Sequence, residues 1–348
     1  MKALGQLLLI VMVGLVAFGS VLWNGAGFSH PDDVYAAQLQ CCSFRPLLGL
    51  SYQMNARFGG WMLTNLALHL TAAILVFAVS RSVVAGAIFA AHPMAADAVA
   101  SVAGRSALLL AVAVLAGVLF VRRFRWIGAC VLVAGVVLTM GFTPGYFATI
   151  QGPSFPAHFI ASVSALGTYV MPKMVVPLGL SPDPYIVPST GGYVMGILSF
   201  PLTWPMLPFA FVPTLDVFLE HRAYLTLAWF AMVVGWALRR HQRIAYAIVP
   251  CLMVLAMGRA AVYSSPIALW EDAVRVSPLK DTAHIHLAEA YSAWNRYDDT
   301  ERELEIAVRL NPQSGAAWKK LAVVKLWKND PQGFLEIMAE KQELLKNQ

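Results

Sequence analysis

The sequence predicts an all-α polytopic membrane protein with a short helical-repeat tail, on three observations. The 348 residues are 58% hydrophobic and only 13% charged, with a mean hydropathy of +0.63, whereas soluble chains carry about 25% charged residues. Several apolar runs approach the roughly 20 residues that carry a helix across a bilayer's hydrocarbon core. Of the 19 acidic residues, 13 lie at Glu271 or later, where the hydrophobic pattern also changes period. The expected division is a transmembrane part, 1–262, with outer loops 24–59 and 92–105, and a helical tail, 263–348.

Residues 4–23 read as an uncleaved first span, because Lys2 precedes the run and no small-x-small cleavage site follows it. A cytoplasmic N-terminus puts loop 24–59 outside and returns Trp61–Ser80 inward to Arg81. A shorter run from Val83 ends at His92-Pro93, and 92–105 is expected to be an outer loop with a half-buried helix starting after the proline. Ser106–Val121 runs in to Arg122, Arg123 and Arg125, and Ile127–Phe142 runs out. The stretches 157–180 and 193–213, parted by Ser181-Pro182-Asp183-Pro184, each cross or re-enter. Leu225–Leu238 leads in to Arg239, Arg240 and Arg243, and Ile244–Tyr263 delivers the tail outside.

Residues 1–262 carry 14 Lys and Arg against six acids. Eight of the 14 fall on inner loops, as positive-inside orientation requires, and the excess forms no stripe, which excludes a nucleic-acid partner. The six acids, Asp32, Asp33, Asp97, Asp183, Asp216 and Glu220, fall on or near the outer face. Carboxylates beside a bilayer are costly to hold, so the adjacent pair Asp32-Asp33 is the candidate chemical centre; its alternative reading is a turn or cap after Pro31. Arg57 and Arg259 read as interface anchors. His69, with Asn65 one turn before it, reads as a helix-packing hydrogen bond. Cys130 and Cys251 sit in apolar runs, and the neighbours Cys41 and Cys42 form no disulfide framework. No His, Cys, Asp or Glu spacing reads as a metal site.

The tail repeats. Pro278 and Pro312 are 34 residues apart, and Leu287, Ala288, Tyr291, Leu304 and Ala307 between them occupy tetratricopeptide positions. Trp270 and Ala273 match the end of a preceding repeat, and Trp318, Leu321 and Ala322 open the next.

One ordered set of blocks carries a resemblance. Asp32-Asp33; Phe44-Arg45-Pro46-Leu47; Asn65-Leu66-Ala67-Leu68-His69-Leu70; Phe89-Ala90-Ala91-His92-Pro93; Asp97-Ala98-Val99; Gly104-Arg105-Ser106; and Glu220-His221-Arg222-Ala223-Tyr224-Leu225 precede the helical repeats. This order resembles the transmembrane and tetratricopeptide-repeat O-mannosyltransferase family and its bacterial relatives. The resemblance implies a GT-C glycosyltransferase fold in the inner, cytoplasmic membrane. It implies transfer of a sugar, with inversion, from a polyprenyl-phosphate carrier to a protein or glycan hydroxyl on the extracytoplasmic side. The tail is then extracytoplasmic, the lipid-linked sugar is the donor substrate, and no cofactor is called for, a divalent metal being left open.

On that reading Asp32 and Asp33 are the catalytic acids, since a nearby carboxylate can take the proton of an attacking hydroxyl. Arg45, Lys173 and Arg222, with Arg105 and His92 next, are the candidates for the leaving lipid phosphate. Asp97, placed to cap or pair with Arg105, and Glu220 and His221, which read equally as an ion pair at a helix start, are supporting residues. The rival reading is a non-enzymatic membrane scaffold whose repeats recruit an extracytoplasmic protein. A polyprenyl-linked glycan ligase or polymerase is a nearer alternative.

Overall fold

The computed structural model describes residues 2–23, 46–102, 104–124, 160, 162–182, 184, 189–198 and 223–346. Among these every regular element is helical, and the chain is an all-α, multi-pass membrane protein. It divides into two compact units, Met1–Pro182 with Ile186–Ser264, and Ser265–Gln348 with Asp183–Tyr185.

The first unit holds helices α1 (Lys2–Phe18), α2 (Pro46–Phe58), α3 (Trp61–Ser80), α4 (Val83–Ala91), α5 (Ala96–Ala100), α6 (Arg105–Arg123), α7 (Met171–Val175), α8 (Thr190–Leu198), α9 (Tyr224–Ala237) and α10 (Gln242–Val262). Among the described residues four stretches are long and apolar enough to cross a membrane, Ala3–Leu22, Trp61–Ser80, Arg105–Arg123 and Gln242–Val262, or five if the bent pair Val83–Ala91 and Pro93–Ala100 is one span. Their outer faces keep large apolar side chains such as Leu8, Met12, Leu63, Phe120 and Val254 exposed, which suits a lipid surround. Residues 46–58, expected in the first loop, form helix α2. The run 127–142 lies outside the described residues.

Helix α4 is the centre of the unit. It packs against α1, α3, α9 and α10, and every residue from Ala85 to Ala91 is buried. Small side chains permit this. A Cβ on Gly235 of α9 would lie 2.6 Å from the Ala85 Cβ and 2.8 Å from its backbone nitrogen, so the two helices meet at backbone distance. Ser82 caps α4, its Oγ accepting from the Ala85 N–H at 3.3 Å.

The chain then bends by 58° between Val83–Ala91 and Pro93–Ala100. Proline fixes the break: His92, before it, is extended with ψ 127°, and its Nδ1 accepts from the Met94 N–H at 3.2 Å. The helix after the proline forms as the sequence implies, but all described residues from His92 to Val102 are buried. The segment's weak polarity predicts half-burial in an outer loop; in the bundle its small alanines let it lie inside. Arg259, expected as an anchor, is only 7% exposed, its guanidinium 5.2 Å from the Tyr263 ring centre.

At one end of the unit, Arg122 and Arg239 donate to the last carbonyls of α3, at Val79 (2.6 Å) and Ser80 (3.4 Å). Arg122 and Arg239 therefore lie together at the C-terminal end of α3, where their charge complements the helix dipole.

The second unit is a series of helical hairpins: α11 (Pro266–Val276), α12 (Asp281–Ala293), α13 (Tyr297–Leu310), α14 (Gly315–Trp327) and α15 (Pro331–Lys346). Helices α14 and α15 each start 34 residues after α12 and α13. The repeat extends to single atoms. Asn295 and Asn329, 34 apart, both turn left-handed after a helix, at φ 57° and 58°. His284 Nε2 meets the Pro278 carbonyl at 3.0 Å, and Trp318 Nε1 donates to the Pro312 carbonyl at 2.8 Å. Ile285, Ala288, Leu304, Ala307, Ala317, Leu321 and Val324 form the core.

His284 also bonds Glu303 Oε2 through Nδ1 at 2.8 Å. Both ring nitrogens face acceptors, an arrangement that the imidazolium satisfies. Burial opposes the charge, but the Glu303 and Pro278 hydrogen bonds prevail and hold His284 above its ordinary value. Burial likewise pushes Glu303 up, and the His284 and Arg302 contacts bring it below the usual carboxylate range.

Two outcomes are expected. Gly235→Ala should lower the thermal stability of the detergent-purified chain by about 1–3 kcal/mol, read by unfolding monitored at intrinsic tryptophan. The His284–Glu303 pair should stabilise the tail fully between pH 4.5 and 6.5, the two unperturbed values. The carboxylate's share is lost as pH falls through the lowered Glu303 pKa, and the imidazolium's share as pH rises through the raised His284 pKa. Hydrogen exchange of the α12 amides against pH checks this, and His284→Gln should flatten the dependence above pH 6.5.

Candidate functional site

Asp32, Asp33, Arg45, Glu220, His221 and Arg222 lie outside the described residues. The structure places the other sequence candidates, His92, Asp97, Arg105 and Lys173, and shows what surrounds each.

Arg105 is the first residue of α6 and is 0% exposed. Its Nε donates to Asn65 Oδ1 (2.8 Å), its Nη2 to the Trp61 carbonyl (2.9 Å) and its Nη1 to the Ser51 carbonyl (3.3 Å). The guanidinium carbon lies 5.1 Å from the ring centres of both Tyr52 and Trp61, within cation–π range. Tyr52 donates to the Val102 carbonyl at 3.0 Å, and Asn65 Nδ2 to the Val99 and Ser101 carbonyls at 3.2 and 2.7 Å. One cation thus ties α2, α3 and the turn from α5 to α6 together. Gly104 makes the turn possible: a Cβ there would lie 2.5 Å from the Ala98 Cα and 2.7 Å from the Asp97 carbonyl oxygen.

Asp97 sits in the same turn, 2% exposed, its carbonyl accepting from Ser101 Oγ at 2.8 Å. His92, 1% exposed, meets the Met174 carbonyl through Nε2 at 3.0 Å. That bond brings α7, and with it Lys173, against the bend. Lys173 is half-buried; its Nζ donates to the Leu178 carbonyl and lies 5.8 Å from the Tyr169 ring centre. A π-helical turn, Leu166–Val170, leads into α7. Gly167 on that turn and Gly192 and Gly196 on α8 meet at backbone distance.

His69 forms the second polar knot, one turn after Asn65 on α3. Its Nδ1 is 2.7 Å from the Tyr224 hydroxyl and its Nε2 3.2 Å from the Ala90 carbonyl, with Phe18 and Phe89 against the ring. The packing hydrogen bond expected of His69 is present, but its partners are Tyr224 and Ala90. Asn65 instead serves Arg105. Tyr52, Trp61 and Tyr224 were not singled out from the sequence, because aromatics near span ends read as interface belt residues. The signal for Tyr224 was its place in the Glu220-to-Leu225 block.

In the tail a groove of about 420 Å³ is lined by Glu289, Leu304, Lys319, Lys320, Val324 and Trp327, among others. Lys320 pairs with Glu289 at 2.6 Å; burial pushes Glu289 up, but the hydrogen bonds from His286 and Lys320 prevail and lower it to about 2. Among the described residues no three His, Cys, Asp or Glu side chains converge on a metal position.

These features define a multi-pass helical membrane protein with a buried polar network and a hairpin-repeat tail. The chain is similar over part of its length to protein O-mannosyl-transferase Tmtc2 of Drosophila melanogaster, 39% identical over 99 aligned residues, which cover 24% of this chain and 11% of the relative. It is also similar to protein O-mannosyl-transferase Tmtc1 of the same organism, 39% identical over 94 residues, covering 23% of this chain and 11% of the relative. The match thus spans about a tenth of the length of these curated relatives. No family model matches the chain, and no solved structure matches it.

Removing the Arg105 guanidinium leaves Asn65 Oδ1 and two backbone carbonyls without that donor. Arg105→Gln should therefore destabilise the chain by about 3 kcal/mol, measured as a loss of thermal stability in detergent.

Proposed function

We propose that the chain is a membrane glycosyltransferase that moves a sugar from a polyprenyl-phosphate carrier to a hydroxyl of a protein or glycan on the extracytoplasmic side. The observation that carries this reading is the 39% identity to two protein O-mannosyl-transferases. The GT-C class, the inverting course and the inner-membrane location belong to the same proposal and rest on the family resemblance.

The chemistry is a single displacement. A carboxylate of Asp32 or Asp33 takes the acceptor's hydroxyl proton as its oxygen attacks the anomeric carbon. The bond from that carbon to the phosphate oxygen breaks, and the lipid phosphate leaves with the electron pair. Two adjacent carboxylates repel, which suits one to act as base and the other to orient the acceptor. Arg45, Arg222 and Lys173 are assigned to the departing phosphate. Lys173 suits this role because it sits on a short helix at a half-buried position. Arg105 and His92 are fully buried against protein carbonyls, which favours a role in holding the site over direct phosphate contact. Asp97, Glu220 and His221 are supporting residues, and the tail groove is assigned to the acceptor.

The test is intact-mass analysis of extracytoplasmic glycoproteins and glycans from cells carrying the wild-type chain, a deletion, or the Asp32→Asn or Asp33→Asn variant. A sugar increment should vanish in the deletion and fall by at least about 100-fold in one Asn variant at unchanged protein level. If both Asn variants rescue the deletion with no change in glycans, the chain is a scaffold instead.

A further inference from the structure

The groove of the tail runs over α12, α13 and α14 and encloses about 420 Å³, the size of a ligand cleft. Leu304 of α13 with Val323, Val324 and Trp327 of α14 forms its apolar part. Trp327 lies against the Tyr297 ring, centres 5.7 Å apart, and is still 52% exposed. A tryptophan held half open beside a cleft is a common binding anchor.

The charges of the groove run against those of the tail. Residues 263–348 carry 11 Lys and Arg against 13 Asp and Glu. Among the described residues that line the groove, Lys319 and Lys320 are accompanied by one carboxylate, Glu289. Both of its oxygens are committed, Oε1 to Lys320 Nζ at 2.6 Å and Oε2 to His286 Nδ1 at 2.9 Å. Lys325 and Lys328 meet Glu301, whereas Lys319 is exposed and has no partner among the described residues. Its equivalent one repeat earlier is Ile285, a core residue, so here a cation stands in place of an apolar side chain. Lys320 keeps further donors beyond the one on Glu289. The cleft therefore presents net positive charge beside an apolar wall.

A sugar fits this lining poorly. The Ser292 and Thr300 hydroxyls donate to the Glu289 and Arg296 carbonyls at 2.8 and 2.9 Å. Among the described lining residues no side-chain amide and no uncommitted carboxylate is left to receive a sugar's hydroxyls.

We propose that this groove binds a short acidic peptide segment of a protein partner: an apolar side chain packs on Leu304, Val324 and Trp327 while an adjacent carboxylate meets Lys319 and Lys320. The binding stands on the tail's own residues. That the bound protein is a glycosylation acceptor rests on the transferase reading above.

The test is fluorescence anisotropy on the purified full-length chain in detergent, with end-blocked peptides that alternate leucine with aspartate, asparagine or lysine as probes. The aspartate peptide should bind saturably and about tenfold more tightly than the asparagine peptide, a difference that shrinks with added salt. Lys319→Glu changes an exposed side chain without a described partner, so the fold is kept. It should reverse the order, weakening the aspartate peptide about tenfold and admitting the lysine peptide. Trp327→Ala should weaken the aspartate peptide about tenfold without altering its preference over asparagine. Equal binding of the three peptides, no saturable binding of the aspartate peptide, or an unchanged order in Lys319→Glu overturns the inference. Saturable binding of a manno-oligosaccharide in place of the peptides also overturns it and makes the groove a glycan site. If the aspartate peptide binds as expected while deletion of the chain leaves cellular glycans unchanged, the transferase reading fails and the groove remains a protein-docking site.

Discussion

A guanidinium buried inside the protein constrains each element that touches it. Arg105 is charged at any accessible pH, and holding it inside an apolar bundle costs several kcal/mol unless its donors are met. The chain meets them with backbone carbonyls at Ser51 and Trp61, the amide of Asn65 and the faces of two aromatic rings. Because two acceptors are backbone, the cation fixes the paths of α2 and α3 rather than two side chains. Because the turn before it passes over Asp97 and Ala98 at backbone distance, residue 104 is glycine. Beside it, α4 and the bent segment after it are rich in alanine and buried along Ala85–Ala91 and Pro93–Ala100.

Different physics organises the two ends of that bundle. At one end Arg122 and Arg239 cap carbonyls of α3, a distribution that topology rules explain without any chemistry. Further along α3 the polar groups are buried and interlocked, and no topology rule calls for them. The tail follows a third logic, in which 34-residue hairpins are pinned through the same atoms in successive repeats: a ring N–H on a proline carbonyl and a left-handed asparagine between helices.

Much of this was legible in the residues themselves. The spans at 61–80 and 244–263 stood out because long apolar runs have few other uses, and the tail's period stood out because Pro278 and Pro312 mark it. Asn65 and His69 were visible as polar residues inside an apolar run. Their partners were not, because sequence spacing says nothing of which helix lies opposite. The 92–105 segment shows the same limit from the other side. Its histidine, aspartate, serine and arginine make it read as weakly polar, and only three-dimensional packing shows them interior. Asp32, Asp33, Arg45 and Arg222 keep the standing the sequence gives them, since they lie outside the described residues.

The functional account joins a local similarity to O-mannosyl-transferases with a multi-pass bundle whose polar groups are buried and interlocked. Its central claim is that this membrane unit recognises a lipid phosphate. The direct measurement is saturation binding to the purified full-length chain, comparing a polyprenyl monophosphate with the polyprenol of equal length. The account predicts saturable binding of the phosphate, weakened by added inorganic salt as charge recognition requires, and only nonspecific partitioning of the alcohol. Equal, salt-insensitive uptake of the two would contradict it.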